Sequence, residues 1–197
     1  MKRKLLTATA TLLAGLAQLS NAQQLPPEFP GMPAPCTQTR TLLIGDVDMF
    51  AAGGPMATPW MSPAMTTMFS GKPRRTFDDS NGTSVPRDKW FGASIPLGSC
   101  KICKATLEIR IKRNPGPAEP ATGQNGNDTI YVGTAPFSGA NTLAAVKPWV
   151  GEAATVKTVT IPLTAAQLNS LVFGTGVLDV LIQDDTSVDY VKLTLTQ

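Results

Sequence analysis

The sequence predicts an all-β protein, an antiparallel, jelly-roll-like β-sandwich with one short helix covering an end. Several segments alternate between apolar and polar residues, as strands do when one face is buried and the other is solvated. Connections rich in Gly, Pro, Asn and Asp separate these segments, and six or more short strands of this kind are typical of a sandwich. The connections over residues 51–75 and 113–127 are long, and the first is also rich in methionine.

Residues 1–22 are predicted to be a signal peptide that is removed on export. Residues 2–4 are Lys-Arg-Lys, residues 5–19 form an apolar run, and residues 20–22 offer small side chains for a cleavage site. The run is too short and too rich in Ala and Thr for a comfortable membrane span, and no other long apolar run follows. We therefore expect a secreted or periplasmic protein without a membrane span, whose mature chain begins near Gln23.

Charge and composition exclude several classes of function. The chain has 17 Lys and Arg against 14 Asp and Glu, and three of the basic residues leave with the signal peptide, so the mature chain is neutral. This balance gives no support for nucleic-acid binding. The chain has no histidine, which excludes a Ser-His-Asp triad, a Cys-His pair and a histidine-bound zinc. Catalysis would have to use carboxylates, Lys, Tyr or Cys.

The strands are predicted within a β-sandwich domain over residues 39–197, which follows a Pro-rich leader over residues 23–38. The clearest alternation runs over residues 104–112, where Leu107 lies on the apolar face and Glu108 on the polar one. The leader is expected to be extended, because prolines recur through it. The other strand predictions cover residues 40–45, 128–132, 155–163, 177–183 and 187–196.

Two helices are predicted in the connections. Thr164 and Gln167 are spaced as a capping box, and Gly174 is placed to end that helix. We expect this helix to bridge two strands across an end of the sandwich and to cover the core. A shorter helix is predicted to begin at the Ser-Pro pair of residues 62–63 and to end at Gly71.

Two aspartates continue the apolar faces of the last two strands. Asp184 comes two positions after Ile182, the last residue on the apolar face of the strand over 177–183, and is therefore expected on the same face. Asp189 comes two positions before Val191, which belongs to the apolar face of the strand over 187–196. Residues 185–188 are expected to form a hairpin loop, which would place the two aspartates opposite each other on the core side, with their Cβ atoms roughly 5 Å apart. Carboxylates so placed require a proton, a basic side chain, backbone donors or a cation.

Other aspartates also lie at strand ends, on the same face as the apolar residues of their strands. Asp46 and Asp48 follow the first strand, and Asp128 precedes the apolar residues of the strand over 128–132. If the first strand lies beside the last, several acidic oxygens meet at one rim, and hard oxygen ligands suit Ca²⁺. The alternative is that each aspartate caps a turn, since no EF-hand spacing is present. The predicted ligands of a structural Ca²⁺ are Asp46, Asp48, Asp128, Asp184 and Asp189.

The C-terminal residues also carry a resemblance. Residues 176–193, Gly-Val-Leu-Asp-Val-Leu-Ile-Gln-Asp-Asp-Thr-Ser-Val-Asp-Tyr-Val-Lys-Leu, resemble the C-terminal strand pair of a group of poorly characterised exported bacterial β-sandwich domains. Residues 100–110 and 127–130 are similar to the middle strands of that group, and Gly-Asp-Val-Asp at 45–48 is similar to its first strand. The resemblance spans residues 40–196. It implies an exported β-sandwich, but it implies no activity.

Three cysteines in an exported chain allow one disulfide and one free thiol. Cys100 and Cys103 would be roughly 10 Å apart in an extended strand, beyond disulfide reach, but they are close enough to pair in a turn. We predict this pair, and a bond from Cys36 to either of them is the alternative, which would fasten the leader to the domain. The thioredoxin-like context of a redox Cys-x-x-Cys motif is absent.

Methionines and tryptophans suggest two further kinds of site. Five of the seven methionines lie between residues 49 and 68, and thioethers suit Cu(I), although packing of the short helix onto the sandwich explains them more simply. Tryptophan faces in loops can stack on sugar rings or close the ends of the core. The predicted ligand-binding aromatic residues are Trp60, Trp90 and Trp149.

These features favour an exported, non-catalytic β-sandwich module for binding or extracellular assembly, with a glycan or a protein as partner. No catalytic constellation is evident. The first alternative is a carboxylate-dependent glycoside hydrolase that uses Asp184 and Asp189, or Asp78 and Asp79, as acid and base. The second is a copper-handling protein that uses the Met-rich loop. The Pro-rich leader is a candidate for self-assembly by strand addition.

Overall fold

The structure is a computed structural model that describes residues 36–50, 58–78, 89–113, 128–150, 154–183 and 186–197. Strands dominate these residues, which confirms the predicted all-β fold. The elements are β1 (Thr39–Gly45), α1 (Pro63–Met68), β2 (Arg74–Arg75), β3 (Trp90–Pro96), β4 (Lys104–Arg113), β5 (Ile130–Gly133), a 3₁₀ turn (Gly139–Asn141), β6 (Thr142–Val146), β7 (Val156–Leu163), α2 (Ala165–Phe173), β8 (Val177–Ile182) and β9 (Thr186–Thr196).

The described strands form two open sheets. One has the order β1-β9-β4-β7 and the other β2-β3-β8-β5-β6. The paired strands are antiparallel except for β2 and β3, which share a short parallel pairing. The core lies between the sheets and includes the apolar face of β4, where Leu107, Ile109 and Ile111 are fully buried.

The predicted hairpin between the last two strands is wrong. β8 pairs with β3 and β5 in one sheet, whereas β9 pairs with β1 and β4 in the other, so the chain crosses from sheet to sheet after Ile182. Alternation shows which face of a strand is buried, but it does not show which strand lies alongside it. Asp189 therefore has no cross-strand partner on β8. Asp184 lies outside the described residues.

Helix α2 begins as predicted. The Thr164 hydroxyl accepts from the Gln167 amide, the Gln167 side chain accepts from the Thr164 amide, and Gly174 follows the last turn. Leu168 is fully buried, so the helix covers the core. The Asn169 side chain also accepts from the amide of Ile102 and donates to its carbonyl, which fastens the helix to the segment before β4.

Helix α1 packs against the outer face of the second sheet. The Ser62 hydroxyl caps it by accepting from the Met65 amide, and Pro63 occupies the first turn. Met65 and Phe69 are buried against Leu181, and Gly92 of β3 permits this close approach because a Cβ there would lie 2.7 Å from the Phe69 ring. The second sheet is therefore covered on both faces, which explains why nearly all of β8 is buried.

The disulfide joins Cys36 to Cys103, with 6.2 Å between their Cα atoms, and Cys100 is an exposed free thiol. The predicted bond between Cys100 and Cys103 is therefore wrong, and the alternative that involves Cys36 is correct. The reason is tertiary, because β1 and β4 both begin beside the end of β9, where Thr39 and Lys104 each pair with Thr196.

The predicted signal peptide and most of the Pro-rich leader lie outside the described residues. Their predicted roles in export and in self-assembly therefore remain predictions. In the part of the chain that the structure describes, no helix is long and apolar enough to cross a membrane.

Candidate metal centre

Four aspartates meet beside the end of β1. Asp46 and Asp48 follow β1, Asp78 follows β2, and Asp189 belongs to β9. Each contributes one carboxylate oxygen to a group in which all four oxygens lie within 4.8 Å of one another. A single cation about 2.4 Å from its ligands, the usual distance for Ca²⁺, accommodates oxygens up to about 4.8 Å apart.

A β-bulge positions Asp189. Arg110 of β4 faces Tyr190 and the next residue, Ile111, faces Val188, so Asp189 is the extra residue between them. A bulge interrupts the alternation of a strand and changes the direction in which the side chain of the bulged residue points. Val188, rather than Asp189, is therefore opposite the core residue Ile111. Asp189 is nevertheless buried, which agrees with its predicted place on the core side of the strand.

Close backbone approach brings the other aspartates to the bulge. Gly45, the last residue of β1, has φ of +90°, and a Cβ at this position would lie 2.4 Å from the Asp189 carbonyl oxygen and 2.9 Å from the Phe77 ring. Glycine therefore allows β1 to end against both groups. The Asp78 amide donates to the Val188 carbonyl at 2.9 Å, which holds the turn after β2 against β9.

Asp189 is fully buried, and neither of its oxygens has a hydrogen-bond partner of normal geometry among the described residues. Burial raises the pKa of Asp189, the nearby amides of Asp48 and Phe50 oppose that rise, and the charges of Asp48 and Asp46 add to it. Burial, followed by the charges of Asp48, Asp189 and Asp46, raises the pKa of Asp78 to about 7. A buried carboxylate that lies beside other carboxylates requires a proton or a cation to offset its burial and their repulsion.

Asp128 lies outside this group, contrary to its prediction as a metal ligand. Its carboxylate accepts from the Thr186 hydroxyl at 2.7 Å, and that hydroxyl accepts from the Trp149 indole N–H at 2.7 Å. All three residues are buried. Asp128 therefore supports a buried hydrogen-bond chain, because it precedes a strand of the second sheet and not one beside the acidic group.

The sequence pattern did not identify Asp78, the fourth member of the group, as a candidate ligand. It lies far from Asp46 and Asp189 along the chain, and no alternating strand leads into it. The backbone bond to Val188 brings it to the bulge. Its neighbour Asp79 lies outside the described residues.

The three tryptophans occupy different environments. Trp149 is 3% exposed and belongs to the core, so its ring cannot stack on a ligand unless the core opens. Trp90 is half-buried, meets the Phe69 ring edge to face and carries the Lys72 ammonium group 3.7 Å above its ring. Trp60 is 54% exposed and is the tryptophan with an open surface among the described residues.

The described methionines separate into packing and surface residues. Met65 is fully buried, and Met61 and Met68 pack against the same cluster beneath α1. Met49 is 66% exposed, and its sulfur accepts from Arg110. Packing beneath α1 explains the positions of these three methionines, so no copper site is needed to account for them. Met56 lies outside the described residues.

A second buried carboxylate, Asp179, was not identified from the sequence. It accepts from the Ser94 hydroxyl at 2.5 Å, from the Ala135 amide at 2.9 Å and from the Ser62 hydroxyl at 3.3 Å. Because its partners are all in place, Asp179 is structural. The sequence does contain a signal for the burial of Asp179. Residues Val177–Ile182 are apolar at every position except Asp179, as is typical of a strand that is buried on both faces.

No protein-family model, curated protein or solved structure matches this chain. Its function is therefore argued from the chemistry of its own residues.

Proposed function

We propose that this chain is an exported, non-catalytic β-sandwich module for binding or extracellular assembly, and that a Ca²⁺ ion bound by Asp46, Asp48, Asp78 and Asp189 stabilises it. The observation that carries the proposal is the buried carboxylate of Asp189, which has no hydrogen-bond partner of normal geometry among the described residues and shares its surroundings with three further carboxylates. A cation relieves the repulsion among these groups and offsets the burial of Asp189.

The character of the ligands favours Ca²⁺ among the common metal ions. The four oxygens are hard ligands, and the described part of the group contains neither histidine nor cysteine, which zinc and copper sites commonly use. Because the ligands come from three separate segments of the chain, the ion would hold the end of β1 and the turn after β2 against β9.

Export and partner recognition have separate support. The signal-like N-terminus and a disulfide are compatible with an oxidising compartment. The resemblance to exported bacterial β-sandwich domains agrees with that location. Trp60 offers an exposed aromatic face, which is the feature of the described surface best suited to a glycan or a protein partner.

Thermal unfolding of the purified protein tests the ion. We expect added Ca²⁺ to raise the melting temperature above its value in EDTA, by roughly 5–10 °C at a hundredfold excess over the Kd, because the ion binds only the folded state. Mg²⁺ should have a smaller effect. Asp189→Asn should abolish the rise.

The matched control is Glu108→Gln, which also removes one carboxylate but lies on the polar face of β4, paired with Lys192. This variant should keep the full effect of Ca²⁺. The absence of any Ca²⁺-dependent rise in the unsubstituted protein would overturn the proposal, and the four aspartates would then be a repulsive cluster relieved by protons.

The pKa of Asp78 favours a second candidate, carboxylate-dependent glycoside hydrolysis. A carboxyl group with a pKa of about 7 is suited to proton donation near neutral pH, and a neighbouring carboxylate would act as nucleophile or base. This candidate predicts polysaccharide hydrolysis in EDTA that is lost in Asp78→Asn. The ion-binding proposal predicts no such activity.

A further inference from the structure

The loop of residues 46–50 places acidic and apolar side chains alternately. Asp46 and Asp48 belong to the acidic group, whereas Val47 and Met49 are each 66% exposed. Leu43, on the strand that leads into the loop, is 48% exposed. Three of the large exposed apolar side chains of the described surface are therefore gathered within seven residues, beside the candidate ion.

A Ca²⁺ ion in this group would have coordination positions to spare. Four aspartates that each offer one oxygen leave about two to four of the six to eight positions for other ligands. Water or an anionic oxygen from outside the protein would complete the shell. Phosphate oxygens are hard ligands of the kind that Ca²⁺ prefers.

Two basic side chains lie next to the same loop. The Arg110 guanidinium is 3.5 Å from the Met49 sulfur, and the Lys112 ammonium group is 5.7 Å from the centre of the Phe50 ring. With an ion bound, the charges of Ca²⁺, Arg110 and Lys112 balance those of the four carboxylates, so the acidic group no longer repels an anionic surface. The free coordination positions of the ion, the two basic side chains and the exposed apolar side chains then complement a bilayer in which phosphate groups overlie hydrocarbon.

We propose that the loop of residues 46–50 is a Ca²⁺-dependent docking surface for anionic phospholipid membranes. The inference rests on the proposed ion site. Phosphate oxygens of the headgroups complete the coordination of the ion, Arg110 and Lys112 contact the anionic surface, and Val47 and Met49 enter the interfacial layer. The apolar side chains favour a bilayer over a soluble anion, because only the bilayer removes them from water.

Sedimentation with vesicles tests this proposal. The probes are vesicles of phosphatidylcholine alone and of phosphatidylcholine mixed with phosphatidylglycerol, each with Ca²⁺ and with EDTA. We expect the protein to pellet only with the mixed vesicles and only with Ca²⁺. The double variant Val47→Ser/Met49→Ser should lose about tenfold or more in vesicle affinity while it keeps the Ca²⁺-dependent rise in melting temperature.

Val150→Ser is the matched control, because Val150 is 65% exposed and lies outside the loop. It should bind vesicles as the unsubstituted protein does. A Ca²⁺-dependent rise in melting temperature without pelleting overturns the docking surface and leaves the ion site standing, whereas the absence of both effects overturns the ion site. Pelleting in EDTA, equal pelleting with phosphatidylcholine alone, or full binding by the double variant also overturns the docking surface.

Discussion

Asp179 and Asp189 are 2% and 0% exposed, yet their carboxylates meet different surroundings. Asp179 accepts hydrogen bonds from two hydroxyls and an amide, whereas Asp189 meets three other carboxylates and lacks a hydrogen-bond partner of normal geometry among the described residues. Burial is costly for a carboxylate unless donors or a cation replace the water that it loses. The first residue is therefore structural, and the second is the strongest candidate ligand.

The raised pKa of Asp78 predicts how the stability of the protein changes with pH when no ion is bound. The folded pKa of about 7 lies above the ordinary value of 3.8, so the protonated form is favoured by folding. This contribution to stability is complete below pH 4 and is lost as the pH rises through 7. In EDTA, we expect the melting temperature to fall between pH 4 and pH 8, and Asp78→Asn to reduce that fall.

Asp189 also has a raised pKa, so part of the fall should remain in the Asp78→Asn variant. Melts in EDTA across this pH range measure both effects. A fall of unchanged size in Asp78→Asn would show that the carboxyl group titrates at its ordinary pKa and that the four groups repel one another less than their spacing indicates.

Among the elements, β8 shows how one strand connects two layers. Leu178, Val180 and Ile182 belong to the core between the sheets, while Asp179 and Leu181 contact the groups that cover the outer face. Through Asp179, the strand holds β3, the start of α1 and the segment after β5. Asp179 therefore adds a shared hydrogen-bond acceptor to the apolar packing that covers the second sheet.

Asp179→Ala should lower the free energy of unfolding by about 3 kcal/mol, because Ser94, Ser62 and the Ala135 amide would lose a shared acceptor. Urea unfolding measures the change. Glu108→Ala is the control, because the ion pair with Lys192 lies at the surface and should contribute less than about 1 kcal/mol. Equal effects of the two variants would contradict the structural role of Asp179.

At the scale of the whole molecule, the question is how the edge strand β1 is held to its sheet. Among the described strands, it lies at the edge of its sheet and pairs with β9 alone. The disulfide from Cys36 fastens the chain before β1 to the segment before β4, and the acidic group lies at the other end of β1. A covalent bond and the proposed ion therefore secure the two ends of one edge strand.

Cys36→Ser should lower the free energy of unfolding by up to about 4 kcal/mol, because the disulfide links residues 67 positions apart and restricts the unfolded chain. Urea unfolding with and without a reducing agent measures this effect. Cys100→Ser, which removes the free thiol, should leave stability unchanged under oxidising conditions. A loss of stability in Cys100→Ser equal to that in Cys36→Ser would contradict the observed pairing.

Local patterns predicted several local features correctly, although the strands β3 and β6 were not predicted. Alternation identified the all-β class and the buried face of β4, and cap residues located the starts of α1 and α2. These predictions hold because hydrogen bonding, capping and the period of side chains depend on residues a few positions apart. The same patterns suggested aspartates near strand ends as ligands, and Asp46, Asp48 and Asp189 do meet.

Features that join distant segments were decided by packing. The separation of β8 from β9, the disulfide from Cys36, the bulge at Asp189 and the inclusion of Asp78 each depend on which strand lies beside which. An alternating segment reports its buried face but does not specify its neighbours, because many pairings bury the same apolar face. The sequence alone therefore determined the class of fold and most of the candidate acidic ligands, while the three-dimensional arrangement of strands decided how these aspartates form one group.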